Sequence, residues 1–82
     1  MQAQARLCFQ AIGAILGEAG MTLADLVRLN AYVTEPDYLG GYMLVRDEFV
    51  AVPPPASTLM IVKGFARPEF KIEIEAVAAR AP

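Results

Sequence analysis

Eighty-two residues allow one domain with a marginal core, yet 56% of them are hydrophobic, above the roughly 45–50% of ordinary domains, and the surplus predicts an apolar face covered by self-association. A net charge of −2, with seven basic residues scattered along the chain, excludes the basic stripe of a nucleic-acid binder, and no apolar run approaches the roughly 20 residues that span a bilayer. No secretory leader is recognisable, histidine is absent and Cys8 is the single cysteine, so a structural zinc site and an internal disulfide are excluded and a cytoplasmic protein is expected.

The first element is a helix over residues 2–19. Ala5, Cys8, Phe9, Ile12, Ile15, Leu16 and Ala19 recur at three- and four-residue spacing, with Gln2, Arg6, Gln10, Gly13 and Gly17 on the other side. Gly20 follows as a C′ residue that accepts the left-handed conformation. Cys8 sits in the apolar stripe, where it reads as a small core residue because no histidine stands ready to activate it. Thr22 and Asp25 have the spacing of a capping box and predict one short helical turn. "LVRLNAYVT" then alternates: Val27, Leu29, Ala31 and Val33 on one face, Arg28, Asn30, Tyr32 and Thr34 on the other, the pattern of a half-buried strand.

"EPD" (35–37) breaks that strand, and Asp37 can cap a second helix over 38–50 with an apolar stripe of Tyr38, Tyr42, Val45 and Phe49. Gly40 and Gly41 weaken this helix by about 1 kcal/mol each relative to alanine, which is expected either at a free surface or where another backbone comes close. Pro53, Pro54 and Pro55 stop it, since each lacks an N–H and fixes φ. "STLMIV" (57–62) and "FKIEIEAVA" (70–78) read as two further strands, expected to pair as a closing hairpin. The order is α-β-α-β-β, and the expected fold is an α+β layer with two helices on one face of an antiparallel or mixed sheet, whose second face needs cover.

No histidine-based triad and no glycine-rich phosphate loop is present. The residues with chemical potential are in "EIE": Glu73 and Glu75 lie two apart and share one strand face with Lys71 and Val77. Facing water, they are solubilising charges. Facing a partner subunit, a carboxylate at the rim of a cleft would be suited to passing protons or positioning water.

"PPPAST", then Val62, Phe65 and Pro68, then "KIEIEAVA" resemble the C-terminal signature of the Rid family (YjgF/YER057c/UK114), P-A-[RST]-[ST] followed by V-x-x-L-x-x-P-x-x-x-V-E-I-E-A-I-A. "QARLCFQAIGAILGEAG" and "LADLVRLNAYVTEPDYL" resemble the preceding helix and strand, so the likeness covers nearly the whole chain, as one domain over 1–82. The resemblance implies a chorismate-mutase-like fold and a homotrimer with clefts between subunits that bind a small carboxylate or imine metabolite. It implies enamine/imine deaminase activity, hydrolysing 2-imino acids to 2-keto acids and ammonia without metal or cofactor. Glu73 matches the glutamate assigned to water activation and Thr58 the small hydroxyl residue of the cleft.

Two departures stand out. Ser57 replaces the arginine that clamps the substrate carboxylate, as in the Arg-less subgroup, and a hydroxyl makes at most one neutral bond where a guanidinium makes two charge-assisted ones. Tyr42 stands in place of a helix-borne asparagine and is the remaining candidate binding residue. Family members also begin with a β-hairpin that completes the cleft, so an N-terminally truncated domain is expected, with a sheet edge exposed. Two functional readings follow: a deaminase-type hydrolase, favoured by Glu73, and a non-catalytic trimer binding a metabolite or partner protein, favoured by Ser57.

Overall fold

The apolar stripe of the first segment folds as α1 (Gln2–Glu18), with Ala5 and Phe9 fully buried and Cys8, Ile12 and Leu16 packed at the margin of the core. It ends as a Schellman motif: Gly20, at φ 74°, donates to the Gly17 carbonyl at 3.1 Å, and Met21 donates to the Leu16 carbonyl at 2.8 Å. Ile15, expected in the stripe, is 66% exposed, while its neighbour Leu16 is the residue of that turn that packs against the core.

The structure, a computed structural model, describes residues 1–50 and 53–80. After α1 come a 3-10 turn (Leu23–Asp25), β1 (Leu26–Val33), α2 (Tyr38–Phe49), β2 (Ala56–Ile61) and β3 (Ile72–Ala78). The expected domain over 1–82 takes in residues 51–52 and 81–82, which lie outside the described residues. The capping box forms as the sequence predicts: the Ala24 N–H donates to Thr22 Oγ1 at 3.2 Å and the Thr22 N–H to Asp25 Oδ2 at 2.9 Å. Asp37 does occupy the N-cap of α2, but its side chain makes no capping bond.

The sheet order is β2-β1-β3, with β1 parallel to β2 and antiparallel to β3. The closing hairpin expected from the sequence is therefore corrected. The chain between β2 and β3 carries β3 across to the far side of β1, the strand whose Leu29, Ala31 and Val33 are at most 1% exposed. Placing that apolar face at the centre of the sheet buries it under both helices, and a terminal β2–β3 hairpin would leave it at an edge. The expected alternation of β1 also shifts at its start. A β-bulge between Leu26 and Arg28 makes Val27 the extra residue, so Leu26 points into the core and Val27 is 48% exposed.

Phe9 is the hinge pin of the core, its ring lying 6.2 Å from Tyr42 and 5.2 Å from Phe49 in near-parallel stacks. Tyr42 and Val45 are the buried residues of α2, as its stripe predicts. A Cβ on Gly41 would stand 3.1 Å from Met1 Cε and 3.2 Å from Gln2 Cγ, so the close approach there comes from side chains at the start of α1 and not from another backbone; nothing lies near Gly40. The prolines deliver the chain to β2, an edge strand, where a missing N–H does least harm. Among the described residues no helix is long and apolar enough to cross a membrane.

Candidate functional site on the open face of the sheet

Both helices lie against one face of the sheet, since Leu29, Ala31, Val33 and Ile72 are buried beneath them. The strand period of two then sends Arg28, Asn30 and Tyr32 of β1 to the opposite, open face. The register completes it. Arg28 stands beside Ala56 and Val77, Asn30 between Thr58 and Glu75, and Tyr32 between Met60 and Glu73. A central polar strand is thus flanked by a hydroxyl on one side and two carboxylates on the other, with Val27, Met60 and Val77 about half exposed around them.

These groups are connected. The Tyr32 hydroxyl donates to Glu75 Oε1 at 2.6 Å, the short distance of a charge-assisted bond. That bond, helped by desolvation and by the negative charges of Glu75 and Glu73, holds the Tyr32 phenol above its ordinary pKa, with the Arg28 charge opposing. Like any tyrosine it is protonated at neutral pH, and its proton lies in the bond to the Glu75 carboxylate. On the other flank Arg28 donates to Thr58 Oγ1 at 2.7 Å. Arg6, Arg46, Arg67 and Arg80 each pair with a carboxylate within 4.0 Å, and among the described residues Arg28 does not.

The four residues singled out from the sequence do not meet in one protomer. Glu73 and Thr58 share the open face, on opposite sides of β1. Ser57 aligns with the buried Leu29, so its side chain lies on the helix-bearing side of the sheet, exposed because β2 is an edge. Tyr42 is 1% exposed in the core, and its ring packs on Phe9 in place of lining an open surface. Arg28, Tyr32 and Glu75 carry most of the face's hydrogen bonding, and of these the sequence reading names Glu75 alone as a chemical candidate. The signal was present in the alternation of "RLNAY", whose outward residues are all polar and chemically distinct.

Two grooves lie elsewhere. One of about 340 Å³ runs between α1 and β3, lined by Gln4, Leu7, Cys8, Glu69, Phe70 and Ile72. Burial, and to a lesser degree the charge of Glu73, pushes the Cys8 thiol up, which keeps it a poor nucleophile. The other, of about 360 Å³, is polar and includes Thr34, Tyr38, Lys63 and Lys71. Among the described residues no three metal-ligating side chains gather.

Two helices layered on one face of a three-stranded mixed sheet, with a polar second face, define the class: an α+β protein of the chorismate-mutase-like fold. The family described as Endoribonuclease L-PSP matches residues 1–80, and the chain belongs to this family, the YjgF/YER057c/UK114 or Rid group. Among solved structures it is similar to Rv2704 of Mycobacterium tuberculosis, a YjgF/YER057c/UK114 member, at 34% identity and a TM-score of 0.89 over 94% of this chain. It is similar to the Rid-family protein YyfB of Yersinia pestis at 33% identity and a TM-score of 0.83 over 98% of this chain. RidA of an Antarctic Psychrobacter matches at 30% identity and a TM-score of 0.86 over 95%. The chain spans less than two thirds of each, 65%, 62% and 63% of their lengths respectively. No curated protein matches it.

Proposed function

We propose that this chain, in an oligomer that encloses its open face, hydrolyses small 2-imino acids to 2-keto acids and ammonia in the cytoplasm. The observation that supports this most directly is the row of Glu73, Glu75 and Tyr32 on one face, a carboxylate pair beside a phenol hydrogen-bonded to one of them. In this reading Glu73 accepts a proton from water as the water oxygen bonds to the imine carbon. The imine nitrogen becomes an amine, takes a further proton, and leaves as ammonia as the carbonyl forms. Water supplies the oxygen and no oxidant or reductant is consumed. Enclosure by neighbouring subunits, a homotrimer by resemblance, would desolvate the carboxylates and strengthen their basicity.

The family's descriptive name denotes a nuclease. A ribonucleic acid substrate is disfavoured here because the open face carries one guanidinium against two carboxylates, which repels a phosphate backbone. Ser57, with no charge and on the other side of the sheet from Glu73, favours a second reading, a trimer that binds a metabolite or partner protein without turning it over.

The test couples the protein to a pyridoxal-phosphate lyase that releases 2-aminoacrylate and follows keto-acid formation above the spontaneous rate. Glu73→Gln is expected to lower the accelerated rate by about 10²–10⁴, the usual contribution of a general base, with a smaller loss in Glu75→Gln. Equal rates in wild type and Glu73→Gln would leave the binding reading standing alone.

A further inference from the structure

We propose that Arg28 is the carboxylate-holding residue of the open face, and that the ligand it holds is a small monocarboxylic acid. Four arginines of the chain have their guanidinium engaged by Asp or Glu: Arg6 by Glu48, Arg46 by Asp47, Arg67 by Glu69 and Arg80 by Asp25. Arg28 has acidic residues on its own sheet face, yet it pairs with none of them. Glu75, the nearer in register, is taken up by the Tyr32 hydroxyl at 2.6 Å. Arg28 instead makes one neutral bond, to Thr58 Oγ1 at 2.7 Å. That bond uses one of five N–H donors, and among the described residues no carboxylate takes the others.

The surroundings choose the ligand. A planar fork with free donors matches a carboxylate in two parallel charge-assisted bonds. Glu73 and Glu75, on β3 across the face, repel a second negative charge, so a monoanion is accepted and a phosphate dianion is not. Adjacent outward positions on β1 are about 6.6 Å apart. Asn30 therefore stands one outward position from Arg28, and Tyr32, bonded to Glu75, two, close enough to line the same small site. Ser57 adds no charge to this arrangement, since it lies on the opposite side of the sheet. The choice of an acid as ligand rests on the proposed function; the assignment of Arg28 rests on its pairing and placement.

The experiment is binding without turnover. Pyruvate is titrated into the ¹⁵N-labelled 82-residue chain, and into Arg28→Met, Arg28→Lys and Thr58→Val, each first checked for wild-type amide dispersion. Saturable shifts at Arg28, Asn30 and Tyr32 are expected in wild type. Arg28→Met should weaken binding about ten- to hundredfold, the effect of losing a charge-assisted pair. Arg28→Lys should fall between, because it keeps the charge and loses the fork, and Thr58→Val should lose a few-fold. Inorganic phosphate should produce no saturable shifts on this face. Absent pyruvate binding in wild type, equal binding in Arg28→Met, or phosphate binding as tight as pyruvate would each overturn the proposal. If wild type binds pyruvate through Arg28 but does not hasten imine hydrolysis, the assignment of Arg28 stands and the deaminase reading fails. If hydrolysis is hastened equally with and without Arg28, the reverse holds.

Discussion

Tyr42 has a hydroxyl buried without a hydrogen-bond partner among the described residues, in a side chain whose ring is packed on Phe9. Burial pushes its phenol pKa up, so the group is a neutral, unpaired dipole in an apolar setting. Removing the oxygen keeps the ring and discards the desolvation penalty. Tyr42→Phe is expected to stabilise the fold by about 1 kcal/mol, raising the melting temperature by roughly 4–8 °C for a domain of this size. A lowered melting temperature would show that the hydroxyl has a partner. Ser57 behaves differently because it is exposed on an edge strand. Ser57→Arg adds a guanidinium on the helix side, out of line with its own protomer's Glu73. It should tighten pyruvate binding only where a neighbouring subunit brings a second open face against that edge. Titrations above and below the association midpoint would separate the two cases.

At the scale of elements, the turn before β1 is the best-tied junction. Asp25 accepts from the Thr22 N–H and from Arg80, which also donates to the Gly20 carbonyl, and Ala79 donates to the Asp25 carbonyl at 3.1 Å. The Thr22 N–H first, and Arg80 next, hold the Asp25 carboxyl below its usual value of 3.8. A depressed folded-state pKa contributes stability that is present above the unfolded value and lost as pH falls through the folded one. The melting temperature should therefore drop below about pH 4, and Asp25→Asn should be less stable at pH 7 with a shallower acid limb. An unchanged acid limb in the variant would remove Asp25 from the account. Local devices of this kind were legible in the sequence because their partners lie within a few residues: the Thr22–Asp25 box, the Gly20 stop, the stripes of both helices. Alternation alone puts Val27 on the inner face, because a bulge depends on the pairing strand, which a single strand's pattern does not reveal. The β2–β3 hairpin failed for the same reason: strand neighbours are chosen by burial of β1, a long-range matter. Of the site, Glu73 and Glu75 are legible in the two-residue spacing of "EIE" and Thr58 in the family signature, whereas Arg28 and Tyr32 need the register to appear as one cluster.

The whole molecule is a slab of 40 × 24 × 17 Å, two layers and no more. It exposes 5233 Å², against about 4,800 Å² for a monomer of 8.9 kDa. Leu7, Ile15, Leu44, Met60, Ile61, Phe70 and Val77 are each at least 49% exposed, so apolar area remains on both faces of the slab. The chain is expected to associate at micromolar concentration, which sedimentation velocity would detect; a well-folded monomer at that concentration would count against an enclosed site. The single small core leaves little reserve. Phe9→Ala, which removes the ring stacked on both Tyr42 and Phe49, should lose about 3–5 kcal/mol and leave the chain largely unfolded by circular dichroism.

The strand order has a consequence for the moment of synthesis. Of the three described strands, β1 is made first and lies at the centre, and both of its neighbours come from later in the chain, with Leu26 waiting for Ala78. A ribosome adding about 5–20 residues per second exposes the bare edges of β1 for several seconds before β3 emerges. During that interval the most buried of the described strands has α1 and α2 to shelter its inner face and no backbone partner on the β3 side. Translation arrested after β2 should yield a nascent chain that proteases cleave readily within β1, and extension through β3 should protect it in a single step.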